Sequence, residues 1–94
     1  MFVLLLSYVR PLEEVDALMR DHVAWLNEHY DAGRFVVSGR RVPRSGGVIV
    51  ARGDDRAEIE RIAAADPFVS NGVATCEVIH FRASQTAGGF EVRL

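Results

Sequence analysis

The chain has 94 residues, 49% of them apolar, with eleven arginines, no lysine and a formal net charge of −2. That length supports one domain with a thin core and leaves no room for a second. A mildly acidic chain whose arginines are not interleaved with aromatic residues argues against nucleic acid as a partner.

Residues 2–9 (FVLLLSYV) read as a strand that is apolar on both faces. Phe2, Leu4, Leu6 and Tyr8 lie on one face, and Val3, Leu5, Ser7 and Val9 on the other. The run is too short to span a bilayer and lacks a basic leader and a small-residue cleavage site. We therefore expect neither membrane anchor nor signal peptide, and a cytoplasmic protein. Residues 10–33 (RPLEEVDALMRDHVAWLNEHYDAG) predict a helix over 11–32. Val15, Leu18, Met19, Trp25 and Leu26 form one stripe at three- and four-residue spacing. Pro11 suits the first turn, Glu13, Glu14 and Asp16 suit the positive end, and Gly33 is a natural stop. His22 lies inside the apolar stripe, and an imidazole turned toward a core needs a partner.

Residues 34–40 (RFVVSGR) predict a second strand ending in a kink at Ser38–Gly39. After a loop at 43–47, residues 48–52 (VIVAR) predict a third strand, antiparallel to the second. Gly53 and Asp54 open a second helix, in which Asp55 and Glu58 resemble a capping box. Ile59, Ile62 and Ala63 form its stripe, and Asp66 before Pro67 ends it. PFVSNG makes a short turn into a last strand over 73–83. We place one domain at 1–83 and a tail at 84–94, in which FEVRL would be an extra edge strand or an arm reaching a second subunit.

The order β-α-β-β-α-β predicts an α+β, ferredoxin-like fold: an antiparallel sheet with two helices on one face. Both faces of the first strand are apolar, yet two helices cover only one. The other face is expected to pack on a second copy, sheet to sheet, in a symmetric homodimer. Cys76, the single cysteine, cannot form an internal disulfide and reads as a buried strand residue. There is no CxxC or HxxxH metal spacing, and we expect neither a metal nor another cofactor. Four polar residues fall near the core by this pattern: His22, Asp66, Ser38 and Tyr8. His22 and Asp66 can approach each other across the helix pair. A carboxylate on one imidazole nitrogen would fix the tautomer and leave the other nitrogen as a base.

The segments His22-Val-Ala-Trp-Leu26, Gly33-Arg-Phe-Val-Val-Ser-Gly39, Asp66-Pro-Phe68 and Gly72-Val73 resemble, in order and spacing, the YciI-like (YCII-related) domain family. The resemblance covers residues 1–83. It implies a dimeric α+β barrel and a His–Asp pair at the active site, carried over to His22 and Asp66. One branch of such proteins removes HCl from chlorinated hydroxyquinols, and the wider superfamily includes muconolactone isomerases and small monooxygenases. The chain departs at Arg40, where a proline commonly follows the glycine, and this adds a cation able to hold an anionic substrate. The leading expectation is a cofactor-independent enzyme that uses His22 and Asp66 for elimination, dehydrochlorination or isomerisation of a small cyclic substrate. Ser38, Tyr8 and Arg40 would contact that substrate. The alternatives are a non-catalytic dimeric module binding a small ligand or a protein, and a monooxygenase-like activity of the same fold.

Overall fold

Alternation of large apolar side chains along the first strand sets the frame of the computed structural model, which describes residues 1–90. The elements are β1 (Phe2–Tyr8), α1 (Leu12–Ala17), α2 (Met19–Asp31), β2 (Phe35–Arg40), β3 (Gly46–Ala51), α3 (Arg56–Ala64), α4 (Pro67–Ser70) and β4 (Ala74–His80). The strands form one sheet in the order β2-β3-β1-β4, and all three neighbouring pairs are antiparallel. This is the ferredoxin-like α+β arrangement the element order predicts, with the helices on one face.

The core lies between that face and the helices. Phe2, Leu4 and Leu6 of β1 and Ile49 and Ala51 of β3 are buried against Val15, Trp25, Ile59, Ala63 and Phe68. Each large side chain removed from water this way contributes about 1.5–3 kcal/mol. The opposite face keeps its apolar residues in register. Val37 pairs with Val50, Val50 with Val3, and Val3 with Ile79, so one apolar row crosses all four strands. Val37 and Ile79, at its two ends, are exposed.

The helix expected over 11–32 is two helices. Leu18 leaves helical geometry (φ −104°, ψ 1°), and its N–H bonds back three residues to the Val15 carbonyl. One residue out of register leaves the three- and four-residue spacing intact, so the periodicity carries no mark of the break. The stretch after Asp66 is likewise a one-turn helix, α4, and not a plain turn. The Asp-Pro pair that ends α3 also starts α4: Pro67 occupies the first helical position and the Asp66 carboxylate accepts the Phe68 N–H at 3.0 Å. There the cap satisfies a helical donor that no carbonyl reaches. Asp55 caps α3 similarly, accepting from the Glu58 N–H.

The strand ends differ modestly from expectation. β2 runs through Ser38 and Gly39 without stopping, and its irregularity is a register shift between Phe35 and Val37. β3 begins earlier, at Gly46, where a Cβ would sit 1.8 Å from the Leu6 carbonyl oxygen. Glycine is therefore required by the close approach of β1. β4 ends at His80, before the expected 83. Residues 84–90 form no strand, and the rest of the FEVRL segment lies outside the described residues. No helix among the described residues is long and apolar enough to cross a membrane.

Candidate active site

α2 packs against β2 and α4, and this carries His22 to the first turn of α4. The His22 Nδ1 lies 2.7 Å from Asp66 Oδ1. The Asp66 side chain is fully buried, while that of His22 keeps 12% of its surface accessible. A carboxylate can only accept, so with Asp66 in that form Nδ1–H donates, and in a neutral imidazole Nε2 is then the nitrogen left bare. The same Oδ1 also accepts the Phe68 N–H, and Oδ2 has no hydrogen-bond partner among the described residues. The α4 cap thus fixes the carboxylate independently of the histidine. Phe68 fixes the ring: the two planes stack 8° from parallel with centroids 3.9 Å apart. Trp25 closes the far edge of the imidazole at 5.6 Å.

The exposed side of His22 forms part of the wall of a cavity of about 320 Å³ between α2, α4 and the strands β1–β3. A cavity of about 150 Å³ suffices for benzene, so this one takes a single substituted ring. Leu6, Met19, Leu26, Ile49 and Phe68 supply its apolar wall, and Gly46 and Gly47 let the ligand space reach the backbone. Asp66 does not line it: the cavity meets the imidazole, with the carboxylate behind.

The remaining expected site residues all reach this cavity. Tyr8 lines it from the end of β1 and meets Phe68 edge-on at 5.8 Å. Ser38 lines it from β2, but its hydroxyl is engaged with the Tyr30 hydroxyl at 2.5 Å. Arg40 lies at its mouth. Sequence reasoning missed Phe68 as the ring under His22, Tyr30 as the partner of Ser38, and Arg44 as a lining residue tied to Asp16. Phe68 was readable in principle, since a helix-capping aspartate places the residue two positions on directly beside it. The Asp16–Arg44 contact joins α1 to a loop 28 residues later and has no local signal.

Burial shifts two further groups, His29 and Cys76, which lie outside the cavity. Burial, reinforced by Arg34, pushes the His29 imidazole down from its usual range, with Glu28 opposing. Burial, and secondarily the charge of Asp66, raises the Cys76 thiol to about 11, so it stays protonated at neutral pH. Among the described residues no three of His, Cys, Asp and Glu gather to hold a metal ion.

The sequence profile of the YCII-related domain matches residues 1–82. The chain belongs to the YCII-related domain family. Among solved structures, this YCII-related protein is similar to 5-chloro-2-hydroxyhydroquinone dehydrochlorinase (TftG) from Burkholderia phenoliruptrix AC1100, determined in complex with 2,5-dihydroxybenzoquinone. The two share a TM-score of 0.71 over 87% of this chain and 94% of that one, at 18% identity, which makes the likeness one of fold. A comparison with curated proteins found no match.

Proposed function

We propose that this YCII-related protein is a small-molecule enzyme that needs no cofactor and uses His22 as general base and acid on a single-ring substrate. The observation that carries the reading is the 2.7 Å contact between a cavity-lining imidazole and a fully buried carboxylate. Asp66 holds Nδ1–H, so Nε2 accepts a proton from a ring hydroxyl, or from a carbon beside a carbonyl, and can return it elsewhere. In a dehydrochlorination the proton goes to Nε2 and chloride leaves, for a net loss of HCl. In an isomerisation the same proton comes back at another atom. The dehydrochlorinase activity of TftG supports starting with its class of substrate. Positioned proton transfer contributes roughly 10²- to 10⁴-fold. The test is chloride release from 5-chloro-2-hydroxyhydroquinone, and proton exchange in a panel of hydroxylated and carbonyl-bearing single rings. His22→Asn is expected to lower turnover by about that factor. Unchanged turnover in a folded His22→Asn protein would sink the proposal.

A second reading rests on the other bond of Asp66. Because Oδ1 also caps α4, the pair would serve to pin α4 in a non-catalytic module that binds a small ligand. Ligand binding without turnover, together with loss of melting temperature in His22→Asn, favours that reading. Oxygen uptake with a bound ring compound would instead assign the monooxygenase-like chemistry.

We also propose that the protein works as a homodimer through its open sheet face. The row Val37–Val50–Val3–Ile79 is apolar across four strands, and such a face is covered most simply by its own copy. Val3→Glu at the centre of that row is expected to yield monomers by light scattering. A monomeric parent protein removes this part of the proposal.

A further inference from the structure

The charge lining the cavity is opposite to that of the chain. The sequence has 13 acidic residues against 11 basic ones, yet Arg40 and Arg44 line the cavity and, among the described residues, no aspartate or glutamate does. The two arginines differ in their ties. Arg40 makes no ion pair or side-chain hydrogen bond among the described residues, whereas Arg44 pairs with Asp16 of α1. The Asp16 carboxylate is more than half exposed and its contact with Arg44 holds it below the usual carboxylate range. Tyr8 lines the same cavity.

Taking His22 as the proton-transfer group, as proposed above, we propose that Arg44 is the substrate-anion clamp of this cavity. Asp16 is its resident counter-ion, displaced when a ring bearing an anionic oxygen group enters. The guanidinium presents planar, paired donors that match a carboxylate or an ionised ring hydroxyl. An exposed ion pair contributes little, so exchanging Asp16 for a ligand oxygen costs little. Arg40, at the mouth, adds attraction for the incoming anion. Apolar walls hold the ring between the clamp and His22, so the substrate class is a single-ring anion and not a neutral ring.

The test is calorimetric titration of the intact protein with matched probes. Salicylate and 4-hydroxybenzoate are compared with their neutral carboxamides, and 2,5-dihydroxybenzoquinone serves as an anion whose charge sits on ring oxygens. Anions are expected to bind at least tenfold tighter than the amides, with affinity falling as salt rises. Arg44→Met should weaken anion binding on the order of tenfold or more, the size of one charge-assisted contact. Asp16→Asn should tighten it about two- to fivefold by releasing the clamp. The opposite sign of the two variants separates clamping from loss of fold, which melting curves check alongside. Which probe class binds distinguishes a carboxylate from a ring-oxygen anion. Amides that bind as well as carboxylates, anion affinity unchanged in Arg44→Met, or no anion binding at millimolar concentration would each overturn the inference. Turnover of neutral rings that needs His22 but not Arg44 would overturn it while leaving the enzymatic reading in place. Anion binding through Arg44 with turnover indifferent to His22→Asn would do the reverse.

Discussion

His22 and His29 stand two turns apart on the same side of α2, and each packs among aromatic rings. His22 lies on Phe68 and near Trp25, and His29 lies between Trp25 and Phe35 with centroids at 5.3 and 5.0 Å. Their chemistry differs because different elements meet them. The capped start of α4 gives His22 a buried carboxylate, and a cavity opens on its other side. The end of α2 gives His29 an arginine, with Arg34 Nη1 at 3.4 Å from its Nδ1. Burial alone makes an imidazole inert. A buried anion on one nitrogen, with open space beside the ring, makes it a candidate base.

The largest effect that could break this contrast is on turnover. Asp66→Asn keeps a side-chain oxygen able to accept the Phe68 N–H, so α4 stays capped, but it removes the charge that orients His22. Turnover is expected to fall by about 10²-fold or more, within the range of positioned proton transfer, with a small change in melting temperature. Nitrogen-15 chemical shifts of the His22 ring should show Nδ1 protonated in the parent protein and still so in the variant, because the oxygen that takes the Phe68 N–H also takes Nδ1–H. His29→Asn should leave turnover per folded molecule nearly unchanged. Equal losses from the two substitutions would erase the distinction between the histidines.

Next in size is the packing under His22. Phe68 is 2% exposed and stacks on the imidazole, so Phe68→Ala should cost about 3–5 kcal/mol of stability. It should also loosen the ring, so that ligand affinity falls further than the lost stability alone explains. Phe35→Ala, beside His29, should show a similar loss of stability with no such excess in binding. Denaturant unfolding and titration on the same samples separate the two quantities.

The two halves of the site were not equally legible in the sequence. The four strands, their antiparallel order and the packing of the helices on one face follow from period-2 and period-3.6 patterns that tertiary packing did not override. His22 was readable because a polar residue in an apolar stripe is conspicuous, and Asp66 because an Asp-Pro pair marks a helix boundary. What such patterns do not encode is geometry that costs one residue or joins distant segments. The break at Leu18, the bond from Tyr30 to Ser38 and the pairing of Asp16 with Arg44 are of this kind. The arginines at 40, 41 and 44 read first as a solvated loop and second as a group binding a substrate anion, and only the fold shows that two of them line the cavity while Arg41 reaches Ser7. Gly46 and Gly47 read as loop, whereas the approach of Leu6 makes them strand. Gly46→Ala should therefore cost about 1–3 kcal/mol, as overpacking does, and distort the cavity beside it. A variant as stable as the parent would mean that β1 and β3 are not held so closely.

The smallest effect lies at the inert end of α2 and concerns acid. Burial lowers the proton affinity of His29 below its unfolded value of 6.5, with help from Arg34. Between the folded and unfolded values the unfolded chain binds a proton that the native protein does not. Stability must then rise with pH across that window, and it is lost as pH falls through 6.5 toward the lower native value. His29→Gln removes the titrating group, so the difference in melting temperature between pH 5 and pH 8 should shrink. The variant should compare least favourably with the parent at pH 8 and gain on it at pH 5. An unchanged acid limb would show that His29 takes up its proton equally well folded and unfolded. In that case the end of α2 would not be the dry environment that separates it from the His22 end.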